Sequence, residues 1–243
     1  MKGPNKALQR TRKDRAAELK RYADEVTMQQ SLALYSDDEV RGSSSMDARV
    51  RELIGARGPR MGYIASSPDP DRVYFERKRA HYGDLGIDLC VYFDSNAPNP
   101  RAALSSLTGC DAIHMTGGNT YTFLHWLRTR GALPVLRQYA REGGMLVGVS
   151  AGAILMTPSV SSAELCGDVP FPEPLDDTGM DLVGFQFWPH YVPGAERNSG
   201  AAALLKSAPL VYACPDGAGL IVQSGKIERF GDVRILRHGR NDV

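Results

Sequence analysis

The chain has 243 residues, a size that suits one α/β domain with a short appendage. Its formal net charge of +1 gives no footprint for nucleic acid or an acidic surface, and no run approaches the ~20 apolar residues of a membrane helix. Four cysteines (Cys90, Cys110, Cys166, Cys214) lack Cys-x-x-Cys spacing and read as free thiols in a reducing cytoplasm.

In chain order, residues 1–27 stand apart. They are basic and poor in apolar residues, with no apolar core behind the charges as a signal peptide would have. A solvated tail is expected, with a nucleic-acid or partner arm as the alternative. A start at Met28 is a further reading. The domain is expected over 28–243. Strands are predicted at Ser31–Tyr35, Arg60–Ala65, Ile87–Phe93, Ala112–Met115 and Met145–Val149. Helices are predicted at Met46–Ile54, Val73–Tyr82, Arg101–Leu107, Tyr121–Thr129 and Pro134–Glu142. Cys90 and Cys214 fall in apolar strand-like runs and are expected to be buried. Short apolar strands alternating with helices mean βαβ units and a mostly parallel sheet. After Ser150 a helix opens, and a loop follows to about Asp181. A strand at Leu182–Trp188 and a helix at Glu196–Lys206 come next. Short strands at Leu210–Ala213, Gly219–Gln223, Lys226–Phe230 and Val233–Leu236 suit an antiparallel edge.

The fifth strand runs straight into Gly148-Val149-Ser150-Ala151-Gly152. Gly-x-Ser-x-Gly between an apolar strand and a helix is a nucleophile elbow. Small flanking residues allow the sharp turn, which lifts the Ser150 hydroxyl above the sheet. The N–H of Ala151, at the helix start, faces the place where an oxyanion forms. Thr116-Gly117-Gly118-Asn119-Thr120 also joins a strand to a helix, and Gly118 N–H is the expected second donor. The run lacks the Lys-Ser/Thr end of a P-loop.

Serine needs a base. His81 lies on a charged helix, His114 within an apolar strand, His125 on the helix after the Gly-Gly loop and His238 near the C-terminus. His190 directly follows a strand, where catalytic side chains collect. The elbow hydrolases run in the order serine, acid, histidine. Glu164, Asp168, Glu173, Asp176, Asp177 and Asp181 lie between Ser150 and His190, and residue types alone do not choose among them.

Gly117-Gly118-Asn119, Gly148-Val149-Ser150-Ala151-Gly152-Ala153 and Pro189-His190-Tyr191 together resemble the peptidase E (aspartyl dipeptidase) and cyanophycinase family of serine peptidases. The resemblance covers Ser31 to Leu236. It implies a three-layer, flavodoxin-like α/β fold similar to class I glutamine amidotransferases, with serine in place of cysteine. It implies hydrolysis after aspartate in small peptides, with neither metal nor cofactor. It places the acid at a spacing after the serine that Glu164 fits and Leu165 cannot, with Asp168 in reserve. Asn119 and Arg197 are the expected substrate-binding residues. Arg197 stands alone where the family commonly carries several arginines. A monomer or homodimer is expected. The alternatives are an esterase or amidase with the same machinery, a glutamine amidotransferase, which the serine opposes, and a non-catalytic binding protein of the same fold.

Overall fold

A computed structural model of the chain describes residues 30–39, 43–55, 59–170, 176–237 and 240–241. The basic segment 1–27, Met28 and His238 lie outside the described residues. The apolar runs form β1 (Ser31–Tyr35), β2 (Arg60–Ile64), β3 (Asp88–Phe93), β4 (Ala112–Met115) and β5 (Met145–Val149), all parallel. Two antiparallel strands, β8 (Gly219–Gln223) and β9 (Lys226–Phe230), extend them into a seven-stranded sheet of order β3-β2-β4-β5-β1-β8-β9.

The inner parallel strands β1, β2, β4 and β5 are buried on both faces, as parallel strands require. Alternate residues of β1 go to opposite sides. Leu32 and Leu34 pack with Leu107, Phe123 and Leu136, from α3 (Pro100–Thr108), α4 (Thr120–Thr129) and α5 (Ala132–Arg141). Ala33 and Tyr35 pack with Met46, Val50, Phe75 and Tyr82, from α1 (Ser44–Ile54) and α2 (Val73–Asp84). Three layers result. Side-chain amides set the starts of α3 and α4. Asn99 accepts the N–H of Ala102 at 3.2 Å, ahead of Pro100, and Asn119 accepts that of Thr122 at 2.9 Å.

After β5 come the single turn α6 (Ala151–Ile154) and, within the loop, a 3-10 turn at Ser161–Cys166. The strand expected at Leu182–Trp188 narrows to β6 (Gln186–Trp188). The helix expected from Glu196 divides into a 3-10 turn, Ala195–Arg197, and α7 (Ser199–Ser207), because Asn198 accepts the Ala201 N–H at 2.7 Å and starts the helix afresh.

The C-terminal strands do not share one edge. Only β8 and β9 join the main sheet. A second sheet of order β11-β10-β7-β6 contains β7 (Leu210–Ala213), β10 (Arg234–Arg237) and β11 (Arg240–Asn241), and β6 and β7 are parallel within it. Both of its faces are covered. Phe187 and Tyr212 join the larger core, while Trp188, Val211, Ala213 and Leu236 pack with Ala201 and Leu204 of α7. Cys214 is buried as expected, but Cys90 is exposed, since β3 is an edge strand.

Candidate active site

The elbow joins β5 to α6 with Ser150 at φ 47° and ψ −107°. A non-glycine residue at positive φ costs on the order of 1–3 kcal/mol, so its surroundings must over-determine it. Ser150 N–H donates to Tyr35 O at 2.9 Å, and its carbonyl accepts from Ala153 and Ile154 at 3.0 and 2.9 Å. The flanking glycines are steric requirements. A Cβ on Gly148 would lie 2.5 Å from the Gly152 carbonyl carbon, and one on Gly152 would lie 2.3 Å from Met115 O.

His190 follows β6, with its own backbone at φ 54°. Its Nε2 lies 2.9 Å from Ser150 Oγ, and its Nδ1 lies 2.6 Å from Asp216 Oδ1. A carboxylate accepts only, so Nδ1 carries the proton and Nε2 accepts from the serine hydroxyl. Asp216 sits in a Pro-Asp-Gly turn between β7 and β8. The turn is fixed on two sides. Cys214 N–H donates to Trp188 O at 2.9 Å and Tyr191 N–H to Cys214 O at 3.1 Å, while Ser36 N–H donates to Ala218 O at 3.0 Å. The Ser36 hydroxyl accepts the His190 N–H at 2.8 Å and donates to Asp216 Oδ1 at 3.3 Å.

The acid on His190 is therefore not Glu164, the one the resemblance implies, and it lies after the histidine rather than between it and the serine. Glu164 is exposed in the 3-10 turn, where its carboxylate accepts from the Tyr121 hydroxyl at 3.4 Å. Burial first, and then the Glu164 charge, push that phenol up to about 12. Asp168 accepts the Thr120 N–H at 2.8 Å and stands near the Asn119 amide at 3.5 Å, so it serves the positive end of α4. The order of the contacting residues is Ser150, His190, Asp216. Pro215-Asp216-Gly217 was legible only as a turn. What brings Asp216 to His190 is the parallel pairing of β6 with β7, which sets Trp188 beside Ala213.

The Gly-Gly loop runs alongside the nucleophile. A Cβ on Gly117 would lie 3.6 Å from Ser150 Cβ, an ordinary contact. Gly118 has φ +134°, and a Cβ there would lie 2.2 Å from Ser66 Oγ. Ser66 holds the loop twice. Its N–H donates to Thr116 Oγ1 at 2.8 Å and its hydroxyl to Gly117 O at 2.6 Å. Asn119 caps α4, and Arg197 is exposed on its 3-10 turn. Neither lines the cleft beside Ser150. His81 sits on α2 near Asp47 at 3.5 Å, and His125 is exposed on α4. His114 is buried under the cleft with Nδ1 2.9 Å from the Tyr82 hydroxyl, and burial holds it well below the usual imidazole range. Burial pushes the Cys166 thiol up to about 12, so it stays protonated and is no rival nucleophile.

The cleft has a volume of about 420 Å³ and opens onto Ser150 and His190 from the ends of β1, β2 and β4. Asp37, Asp38, Glu39 and Asp69 face it, with Lys78 the sole cation among its described lining residues. Lys78 Nζ is 2.6 Å from Asp38 and 3.8 Å from Glu39. Asp69 accepts the N–H groups of Val73 and Tyr74 at the start of α2, each at 3.1 Å. Asp37, His190 and Asp216 have donor atoms within 4.8 Å of one another, the one such grouping among the described residues, but the imidazole and Asp216 already engage each other.

Residues 32–230 match Peptidase family S51. A peptidase E from Shewanella amazonensis is 31% identical over 169 residues, covering 66% of this chain and 68% of its own length. A peptidase E from Streptomyces coelicolor is 27% identical over 222 residues, 86% of this chain and 88% of its own. In structure, a peptidase from an acI-B1 actinobacterium aligns with a TM-score of 0.63 at 18% identity, covering 87% of this chain and 92% of the other. A Listeria monocytogenes protein assigned as a peptidase E aligns with the same score at 20% identity, covering 86% and 98%. At those identities the structural likeness speaks for the fold.

Proposed function

The chain belongs to Peptidase family S51 and is a peptidase of the serine hydrolase class, and from that premise we propose that it cleaves small peptides through an acyl-enzyme on Ser150. The observation that carries the reading is the line of contacts from Ser150 Oγ through His190 to Asp216. His190 Nε2 takes the hydroxyl proton as Oγ attacks the scissile carbonyl carbon. Asp216 holds the Nδ1 proton and stabilises the imidazolium that forms. The carbonyl oxygen becomes an oxyanion facing the N–H groups of Ala151 and Gly118. Ser66 supports the second donor. It binds Gly117 O, and in a trans peptide the Gly118 N–H points to the opposite side. His190 then protonates the leaving amine and the C–N bond breaks. Water, deprotonated by His190, attacks the acyl carbon. His190 returns that proton to Ser150 Oγ as the ester C–O bond breaks and the acid leaves.

Aspartyl-Xaa dipeptides are the substrates that the resemblance implies. The charge of the cleft favours another acyl residue. Among the described lining residues, four carboxylates face one ammonium that is itself paired, and Arg197 is not among them. A neutral or cationic residue suits that field better than an aspartate.

The test combines a fluorophosphonate probe with Asp-Leu, Ala-Leu and Lys-Leu. Labelling of the wild type but not of Ser150→Ala, with turnover of a dipeptide lost in the same variant, is the expected result. Equal turnover by folded Ser150→Ala would end the proposal. Turnover of p-nitrophenyl esters with no peptide cleaved would transfer the same machinery to an esterase.

A further inference from the structure

The end of β1 touches all three members of the contact line. Tyr35 O holds the Ser150 N–H at 2.9 Å. The next residue, Ser36, is fully buried. Its hydroxyl accepts the His190 N–H and donates to Asp216 Oδ1, the same oxygen that holds His190 Nδ1. Its own N–H is bonded to the turn that carries Asp216.

Burial does not hold the His190 and Asp216 side chains, which are 38% and 51% exposed. They arrive on turns after β6 and β7, strands of the smaller sheet, whereas Ser150 belongs to the larger one. His190 also needs a partner for its N–H at a left-handed backbone angle. Among the described residues, Ser36 is the side chain that bonds both His190 and Asp216.

We infer that Ser36 is a positioning residue, whose hydroxyl sets the base and its acid against the nucleophile across the joint between the two sheets. The inference rests on the serine-peptidase reading of the site. Ser36 is fully buried at the edge of the cleft, and its hydroxyl is engaged by the base and its acid, so its effect falls on the rate of acylation rather than on substrate affinity. A displacement of about 1 Å at a reacting centre costs on the order of 100-fold.

The experiment compares Ser36→Ala, Ser36→Cys and Ser36→Thr with the wild type, reading dipeptide kcat and KM, fluorophosphonate labelling rate and Tm. Ala and Cys both remove the strong hydroxyl, and Cys nearly keeps the volume should Ala fail to fold. The expected result is a fall in kcat of about 10- to 100-fold with KM within about threefold. Labelling should slow in parallel, and Thr should restore much of the rate. In a His190→Ala background, Ser36→Cys should add no further loss. An unchanged kcat in folded Ala and Cys variants would overturn the inference alone. So would a rise in KM with kcat intact, or an undiminished Cys effect without His190. A wild type that Ser150 probes never label would overturn the peptidase reading and this inference with it.

Discussion

Two carboxylates make opposite forecasts at the scale of single residues. Asp216 bonds the imidazole, while Glu164 bonds a phenol on another helix. Asp216→Asn keeps the shape but loses the anion that fixes the Nδ1–H tautomer, so kcat should fall by on the order of 100- to 10,000-fold. Glu164→Gln retains an acceptor for Tyr121 and should leave kcat within about threefold. Steady-state kinetics of the two variants on one dipeptide check both, and a reversed order would restore Glu164 to the histidine. The nucleophile could be read from sequence because its signal is local, five residues between a strand and a helix. His190 was legible in part, through its place after a strand. Asp216 was not, because a residue 26 positions beyond the histidine joins it only through the pairing of β6 with β7. Ser36 carried no sequence signal at all, being one serine after one strand.

At the scale of elements, the two strand-to-helix loops divide the labour. The elbow sets the nucleophile by exclusion. Gly152 lies against the β4 carbonyl of Met115, where a Cβ would stand 2.3 Å from the oxygen. Gly152→Ala must therefore separate α6 from β4, at a cost of about 1–3 kcal/mol or more. Urea denaturation should show the midpoint falling with the slope unchanged. The Gly-Gly loop instead depends on a hydrogen bond. Ser66→Ala releases the Gly117 carbonyl, letting that peptide turn and withdraw the Gly118 N–H. Removal of one oxyanion donor costs about 100- to 1,000-fold in kcat, which sets the ceiling for this variant. Stability should change far less than in Gly152→Ala, and a full-rate Ser66→Ala would remove Gly118 from the proposed hole. The parallel strands were legible as short apolar runs, those of β1, β2, β4 and β5 buried on both faces. The C-terminal strands were legible as elements and expected along one antiparallel edge, which β8 and β9 form while β7 and β10 enter the second sheet. Lengths and turns do not record which strand β7 prefers, and the strand–helix–strand order of β6, α7 and β7 marks a parallel pair without saying that the pair lies in a second sheet.

At the scale of the whole molecule, the site lies where the end of β1 meets both sheets, and the larger sheet supplies the cleft. The net charge of +1 conceals this local field, since composition averages over the chain. Asp37, Asp38, Glu39 and Asp69 reach the cleft from the loops after β1 and β2, far apart in sequence, and only the fold sets them around one volume. The field should act through substrate binding. At low salt, kcat/KM should rank Lys-Leu at or above Ala-Leu, with Asp-Leu last. Raising ionic strength shortens the Debye length from about 30 Å at 0.01 M to about 8 Å at 0.15 M, so the gap between Ala-Leu and Asp-Leu should narrow. Asp37 is the carboxylate of the cleft that groups with His190 and Asp216, within 4.8 Å of their donor atoms. Asp37→Asn should therefore favour Asp-Leu relative to Ala-Leu, with the change mainly in KM. Kinetics of the three dipeptides at two salt concentrations decide the matter. Asp-Leu leading at low salt would mean that the enzyme meets an aspartyl carboxylate with a cation outside this lining, and the charge argument would fall while the acyl-enzyme chemistry on Ser150 stood.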